Sequence, residues 1–256
     1  PPGRRASGMR TDPVDALRRA FGYPGFRPGQ EELVRAVLDG RDALGVLPTG
    51  GGKSVCYQVP ALLLDGLTLV VTPLISLMED QVGRAREVGL RADSLSATRS
   101  GSDRRSVLEL AASTRLDLLF VSPERLETAL FRGLLARCRV DLLAVDEAHC
   151  ISEWGHDFRP AYRTIAAATR GLEAPTLALT ASATPEVRVD VRRSLRMTDP
   201  LEVVRSFDRS NLWWAVESGG PFRDRLRRIR GLVRRGSGGC AIVYAPTRRA
   251  VEQVRD

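Results

Sequence analysis

Leu47-Pro48-Thr49-Gly50-Gly51-Gly52-Lys53-Ser54 is the stretch on which the reading of the fold turns. Consecutive glycines let the backbone reach φ > 0 and come close to a ligand. Such a run turns successive N–H groups inward as an anion nest. Upstream, Asp42-Ala-Leu-Gly-Val-Leu47 is short and apolar, with strand character. Downstream, Val55-Cys-Tyr-Gln-Val-Pro-Ala-Leu62 can open a helix, whose N-terminus adds donors and a positive partial charge. Strand, glycine loop and helix form the setting that a phosphate-binding loop requires, with Lys53 on the phosphates and the Ser54 hydroxyl on Mg²⁺. The usual pattern begins with a glycine where this chain has Leu47. A mobile glycine loop that happens to end in Lys-Ser is the competing reading.

The acidic partner lies about a hundred residues on. Val140-Asp-Leu-Leu-Ala-Val145 is a mostly apolar run and reads as a buried strand of a parallel sheet. It ends in Asp146-Glu147-Ala148-His149. Ligands of open α/β sheets sit beyond the carboxyl ends of the strands, which brings this box to the glycine loop. Asp146 is expected to hold Mg²⁺ together with Ser54, through water, because Mg²⁺ dehydrates reluctantly. Glu147 is expected to polarise the attacking water. The two motifs together predict a site that binds ATP and hydrolyses it.

The chain has 256 residues, 43% of them hydrophobic, enough for one large α/β domain or two small ones. Its net charge of +8 suits a polyanionic partner. No stretch approaches the length of a membrane span and no signal peptide is visible, so a cytoplasmic location without membrane contact is expected. Cys56, Cys138, Cys150 and Cys240 have no CxxC spacing, and reduced, partly buried thiols are expected.

Residues 1–14 open with a Gly, Pro and Arg-rich stretch without apolar periodicity, which predicts a disordered tail. Amphipathic helices follow from Val14 and from Gln30. Strands are expected at 43–47, 68–72, 116–121, 142–145 and 176–179, separated by helical patterns. That alternation predicts an α/β fold with a mostly parallel sheet and helices on both faces. Residues 206–216 read as a linker running into an edge strand, 222–235 as a very basic helix, and 239–256 as the start of a second βα unit.

Asp146-Glu-Ala-His-Cys-Ile-Ser-Glu-Trp-Gly-His-Asp-Phe-Arg-Pro-Ala-Tyr162 closely resembles the RecQ family of superfamily 2 DNA helicases, in which the DEAH box runs into an aromatic-rich loop. Other segments agree, in the family's order. Phe21-Gly-Tyr-Pro-Gly-Phe-Arg-Pro-Gly-Gln30 is similar to its adenine-recognition motif. Val71-Thr-Pro-Leu-Ile-Ser-Leu-Met-Glu-Asp-Gln81 and Val121-Ser-Pro-Glu-Arg-Leu126 resemble its DNA-contacting motifs Ia and Ib, which nominates Ser76 and Ser122. Leu179-Thr-Ala-Ser-Ala-Thr184 resembles the coupling motif III, with Thr180 and Ser182. Ala241-Ile-Val-Tyr-Ala-Pro-Thr-Arg-Arg249 resembles motif IV, with Ala245-Pro-Thr where a Cys-Asn-Ser type of sequence is often found.

The resemblance implies that Gln30 reads the adenine edge while Tyr23 and Arg27 flank the base; capping of the following helix is the plainer role for Gln30. Thr49, Gly50, Gly51, Gly52, Lys53 and Ser54 become the phosphate loop. Trp154, His156, Phe158 and Arg159 become a sensor of single-stranded DNA that signals to Glu147, with packing into the core as the alternative for Trp154 and Phe158. His149 would bridge to Thr180 or Ser182, unless it is an ordinary core histidine. The basic helix at 222–235 is either near DNA or a solvated face. On this reading residues 15–205 are a RecA-like lobe and 217–256 the opening of a second. The motif VI arginines, the zinc-binding region and the winged helix of the family are not in the sequence. The implied activity is ATP-driven 3′ to 5′ movement on single-stranded DNA with unwinding of partially duplex DNA, and the 256 residues alone are expected to be nearly inactive. The rivals are a non-unwinding module that binds ATP and nucleic acid, and an RNA helicase.

Overall fold

Runs such as Leu67-Thr-Leu-Val-Val71 and Leu118-Leu-Phe-Val121 carry apolar side chains on both faces, and such strands are stable only when both faces are covered. The computed structural model builds that arrangement. It describes residues 11–73, 75–95, 101–126, 128–155, 157–205, 212–235 and 240–255. The chain divides into two units, Pro1–Asp208 and Arg209–Asp256.

The first unit begins with α1 (Pro13–Phe21), α2 (Gln30–Leu38), β1 (Ala43–Val46), α3 (Val55–Leu63), β2 (Leu67–Val71), α4 (Ile75–Glu87) and β3 (Ala92–Leu95). It continues with α5 (Gly101–Ala112), β4 (Leu118–Val121), α6 (Pro123–Leu126), α7 (Ala129–Leu135) and β5 (Val140–Val145). Two 3-10 turns, Ala148–Ile151 and Pro160–Thr164, lead to α8 (Ile165–Ala168), β6 (Thr176–Thr180), α9 (Pro185–Leu195) and β7 (Leu201–Val204). The seven strands form one sheet in the order β3-β4-β2-β5-β6-β1-β7, and every pairing is parallel.

Alternation along the strands sorts the core into two layers. Leu69, Val71, Leu119, Val121, Leu143, Val145 and Ala178 pack with Val107 of α5, Phe131 of α7 and Val187 and Val191 of α9. Val70, Leu118, Phe120, Leu142, Ala144, Leu177 and Leu179 pack with Leu33 of α2, Tyr57 of α3 and Met78 of α4. Gly45 marks how close α2 lies to the sheet: a Cβ there would stand 2.6 Å from Leu33 Cδ1 and 2.9 Å from Leu179 Cδ2.

The expected tail gives way to structure earlier than residue 14. The Asp12 carboxylate accepts the Val14 N–H at 2.7 Å, and Pro13 occupies the first helical position, where no N–H is needed. Residues 1–10 lie outside the described residues.

β3 and β7 were not expected from the pattern. Both are four-residue edge strands carrying a charge, Asp93 and Glu202, so neither has the apolar density of a central strand.

The second unit contains α10 (Phe222–Arg235) and α11 (Arg248–Arg255). The strand expected near 239–245 is absent from its described residues, as is the edge strand expected after the linker. Ile242 is 77% exposed and Tyr244 89%. A strand exists by pairing, and no described residue of this unit pairs with it. Residues 206–211 of the expected linker lie outside the described residues. No helix among the described residues is long and apolar enough to cross a membrane.

Candidate active site

β5, β6 and β1 are neighbours in the sheet, so the segments leaving their carboxyl ends meet. They are the acidic box, residues 180–182 and the glycine loop. In the loop, Gly50 and Gly52 have φ of 77° and 71°, which a side chain would strain. The loop's carbonyls are held from one side. Gln30 Nε2 donates to Gly51 O at 2.9 Å and to Gly52 O at 3.0 Å, while the Arg27 guanidinium donates to Gly50 O. Gln30 Oε1 accepts the Arg27 N–H at 2.8 Å. Gln30 is therefore not the cap of α2: Gly29 occupies that position, and the buried amide braces the loop.

With the carbonyls engaged, the backbone N–H groups of Gly52, Lys53 and Ser54 have no protein acceptor among the described residues. They open onto a cleft of about 870 Å³ lined by Tyr23, Arg27, Gln30, Lys53, Ser54, Tyr57 and Asp146 among others. Tyr23 stacks on Phe21 with centroids 5.8 Å apart and stays about half exposed at the rim. Thr49 is exposed at the loop's entry. Open donors at the start of a helix, next to a lysine, suit a polyphosphate. Ser54 and Asp146 line the same cleft, and hydroxyl and carboxylate oxygens are the donors that Mg²⁺ takes.

Asp146 is buried, at 8% exposure. Its N–H donates to Val71 O at 2.8 Å and its carbonyl accepts the Tyr162 hydroxyl at 3.0 Å. Burial, then the Glu147 charge, raises its pKa to about 6, against the opposing pull of Lys53. Glu147 has φ 48°, a left-handed conformation that costs an L side chain roughly 1–2 kcal/mol. In that conformation its carboxylate lies 3.9 Å from Lys53 Nζ and 3.3 Å from His149 Nδ1. His149 Nδ1 is also 2.8 Å from Thr180 Oγ1, and Thr180 Oγ1 donates to Ser182 O at 3.1 Å. One chain of polar contacts thus runs from Lys53 through Glu147 and His149 to the segment after β6.

The loop after the box is folded on itself. Gly155 N–H donates to Ser152 O at 3.0 Å, and Arg159 N–H donates to Cys150 O at 2.8 Å. A Cβ on Gly155 would stand 2.4 Å from His149 O, so this turn admits only glycine. Trp154 projects from it, 79% exposed. Phe158 is half-buried, with the Arg163 guanidinium 5.0 Å from its ring centre. The Arg159 guanidinium donates to Asp157 at 3.0 and 3.2 Å and to Pro73 O at 3.3 Å, reaching the segment after β2. The Cys150 thiol is buried beneath the loop and its pKa is pushed up to about 12 by that burial. His156 lies outside the described residues.

Ser76 is exposed on the first turn of α4, whereas Ser122 is buried at 2% exposure, which leaves its hydroxyl no surface to offer. Tyr162 and Asp190 lie outside the cleft, support its neighbourhood from behind and carry no sequence signal of their own. Tyr162 supports Asp146 from inside the core, and Asp190 reaches the loop from α9.

A parallel sheet that gathers a glycine loop, an acidic box and the segment after β6 at its carboxyl edge has the α/β RecA-like helicase fold. Residues 27–191 match the DEAD/DEAH box helicase family, and the chain belongs to that family. It is similar to the ATP-dependent DNA helicase RecQ of Pasteurella multocida, 42% identical over 254 residues that make up 97% of this chain and 39% of that protein. It is also similar to the probable ATP-dependent DNA helicase RecS of Bacillus subtilis, 40% identical over 240 residues, 93% of this chain and 48% of that one. The chain thus spans less than half the length of these curated relatives. Among solved structures, the crystal structure of the DUF1998 helicase MrfA shares the fold, with a TM-score of 0.72 at 18% identity, covering 97% of this chain and 40% of that one.

Proposed function

We propose that this chain is the ATP-binding part of a RecQ-type DNA helicase, which hydrolyses ATP to move 3′ to 5′ on single-stranded DNA and opens partially duplex DNA. The observation that carries the reading is the position of Trp154: an exposed indole on the loop that starts within the box containing Glu147. Similarity to relatives named as DNA helicases favours DNA over RNA.

The open amides of 52–54 and Lys53 bind the phosphates of ATP. Ser54 and Asp146 would hold Mg²⁺, which would supply charge neutralisation at the phosphates. Glu147 orients the attacking water and takes its proton. Lys53 and His149, on either side of the Glu147 carboxylate, keep it aimed. Tyr23 and Arg27 flank the adenine, and Gln30 exchanges its loop carbonyls for the base edge. Trp154, Phe158 and Arg159 contact the single strand, with Ser76 and the backbone around Ser122, and the family resemblance adds His156 to that set. His149, Thr180 and Ser182 carry the nucleotide state onward.

In this reading residues 15–205 are the first lobe, 206–216 the connector and 217–256 the beginning of the second lobe. The arginines expected from the family's second lobe are not among the cleft's described lining, where Arg27, bonded to Gly50, and Arg84 of α4 both come from the first lobe. Absence of an arginine donor costs on the order of 10³–10⁵ in turnover elsewhere. The 256 residues assayed alone are therefore expected to bind ATP but to turn it over slowly.

The test is binding of a fluorescent ATP analogue, and of labelled single-stranded DNA and RNA of matched sequence. Analogue binding that Lys53→Ala abolishes, with DNA preferred, is the expected result. Preference for RNA replaces the reading with an RNA helicase, and no nucleotide binding overturns it. Strand displacement on 3′-tailed against 5′-tailed duplexes, by a protein carrying both lobes, decides the direction. Binding without displacement there leaves the non-unwinding module.

A further inference from the structure

Ser152 is fully buried at the foot of the loop that carries Trp154. Its hydroxyl donates to Asp190 Oδ2 at 2.6 Å and accepts the Trp154 N–H at 3.2 Å. The loop is also closed by backbone bonds among its own residues, Ser152 N–H to His149 O, Gly155 N–H to Ser152 O and Arg159 N–H to Cys150 O, and is tied outward by Arg159 to Pro73 O and by Glu153 to Arg163. The bond to Asp190 leaves the loop for α9. Three residues earlier, His149 makes a second bond to the same stretch of chain, at Thr180. Thr180 ends β6, and α9 starts at Pro185 with the Thr184 hydroxyl capping it at 3.4 Å. The β6–α9 segment is thus gripped at both ends, by the box at Thr180 and by the loop at Asp190.

We propose that Asp190 is a positioning residue. Through Ser152 it fixes the backbone of Trp154 to α9, so that a single strand stacked on the indole is felt at residues 180–182 by a route that bypasses Glu147. The coupling rests on the function proposed above; the clamp itself does not. A short hydroxyl–carboxylate bond from a fully buried serine to a half-buried aspartate is charge-assisted, and such bonds are among the stronger ones available to hold a loop in one pose. Ser152 acts as a two-sided connector: its lone pair orients the Trp154 amide only while its proton is held by Asp190. α9 is also braced on its far side by Arg188 and Arg192, which pair with Glu202 of β7 at 3.5 and 2.8 Å. It is a firm support rather than a loose helix.

The chain holds three tryptophans, so Trp213→Phe with Trp214→Phe leaves Trp154 as the sole indole reporter. In that background Asp190→Ala, Asp190→Asn, Ser152→Ala and the Ser152→Ala/Asp190→Ala pair are compared in the 256-residue chain. Three measurements are made: Trp154 anisotropy decay in the free protein, Trp154 quenching by a short oligothymidylate, and the factor by which that oligomer alters affinity for a fluorescent ATP analogue. Asp190→Ala and Ser152→Ala are each expected to free the indole motion and to raise the half-quenching concentration about fivefold or more. The pair is expected to be no worse than either single change. Asp190→Asn keeps an acceptor for the Ser152 hydroxyl and is expected to retain most of the parent behaviour. Affinity for the analogue alone is expected to stay unchanged in Asp190→Ala, while the coupling factor falls towards one. A merely structural role would lower the melting temperature without that split.

Unchanged anisotropy in both single variants, or additive effects in the pair, overturns the clamp. A clamp seen by anisotropy with the coupling factor intact overturns the relay. A parent protein that oligothymidylate does not quench sinks the function proposed above and the relay with it, and the anisotropy data then decide the clamp by themselves. Should Asp190→Ala not fold, Ser152→Ala against Asp190→Asn makes the same comparison.

Discussion

Burial raises the Asp146 carboxyl from 3.8 to about 6, with the Glu147 charge adding to the effect. Between those values the folded protein binds a proton that the unfolded chain does not. Its stability from this group is therefore full below about pH 4 and declines as pH rises towards 6. The difference corresponds to roughly 3 kcal/mol at most, a cost the nucleotide-free protein carries at neutral pH and a bound divalent cation would offset. Asp146→Asn is expected to raise the melting temperature near neutral pH, to flatten its dependence on pH between about 4 and 6, and to abolish Mg²⁺-dependent hydrolysis. A variant that melts no higher than the parent near neutral pH contradicts this account. Glu147→Gln is expected to keep the backbone pose and the binding of an ATP analogue while stopping hydrolysis, read as single-turnover phosphate release; turnover at the parent rate would remove Glu147 from the role of base. That Lys53 and Glu147 would meet, and that Trp154 would stand exposed, could be read from residue types that are distinctive in their contexts. Asp190, Tyr162 and the bracing of the loop by Gln30 could not. Each is defined by a partner far away in sequence, and an aspartate on a helix face looks the same whether it faces water or a buried serine.

At the level of elements, the packing of α2 on β1 depends on one missing side chain. Gly45→Ala would push a methyl against Leu33 and Leu179, both locked in the core. Overpacking of that kind typically costs about 1–3 kcal/mol, and the same loss is expected in chemical denaturation of this variant with an unchanged denaturant slope. Five central strands could be read from their apolar runs, whose burial on both faces leaves no choice of residue. The two edge strands could not, because an edge needs only one neighbour and tolerates Asp93 or Glu202. Apolar periodicity starts α1 at Val14, one residue late, whereas Asp12-Pro13 carries the sharper start signal. At 239–245 the apolar sequence predicts a strand that the described residues do not form, because pairing, not composition, makes a strand.

For the whole molecule, the buried side chains among the described residues all belong to the first unit, and those of the second are half-buried or exposed. Cooperative unfolding should therefore belong to the first unit. A chain ending at Asp208 is expected to show the same calorimetric transition as the 256 residues, within a few degrees. A drop of ten degrees or more would show that the second unit stabilises the first. The longer chain, with Trp213, Trp214, Ile242 and Tyr244 exposed, is expected to self-associate as its concentration rises, and the shorter one is not. With a net charge of +8, its binding to single strands is expected to weaken steeply with added salt.

The grip of Gln30 and Arg27 on the phosphate loop has a consequence for the timing of nucleotide exchange. If Gln30 reads the base, as proposed above, its amide must give up Gly51 O and Gly52 O before the base can settle, so arrival is a swap of bonds and departure is the reverse swap. A nucleotide whose ring edge presents the wrong donors offers the amide no replacement and leaves it where it is. Selection against GTP would then be made on the way in. In stopped-flow mixing, fluorescent ATP and GTP analogues should differ mainly in their association rates, and Gln30→Ala should erase that difference while the two dissociation rates stay close together.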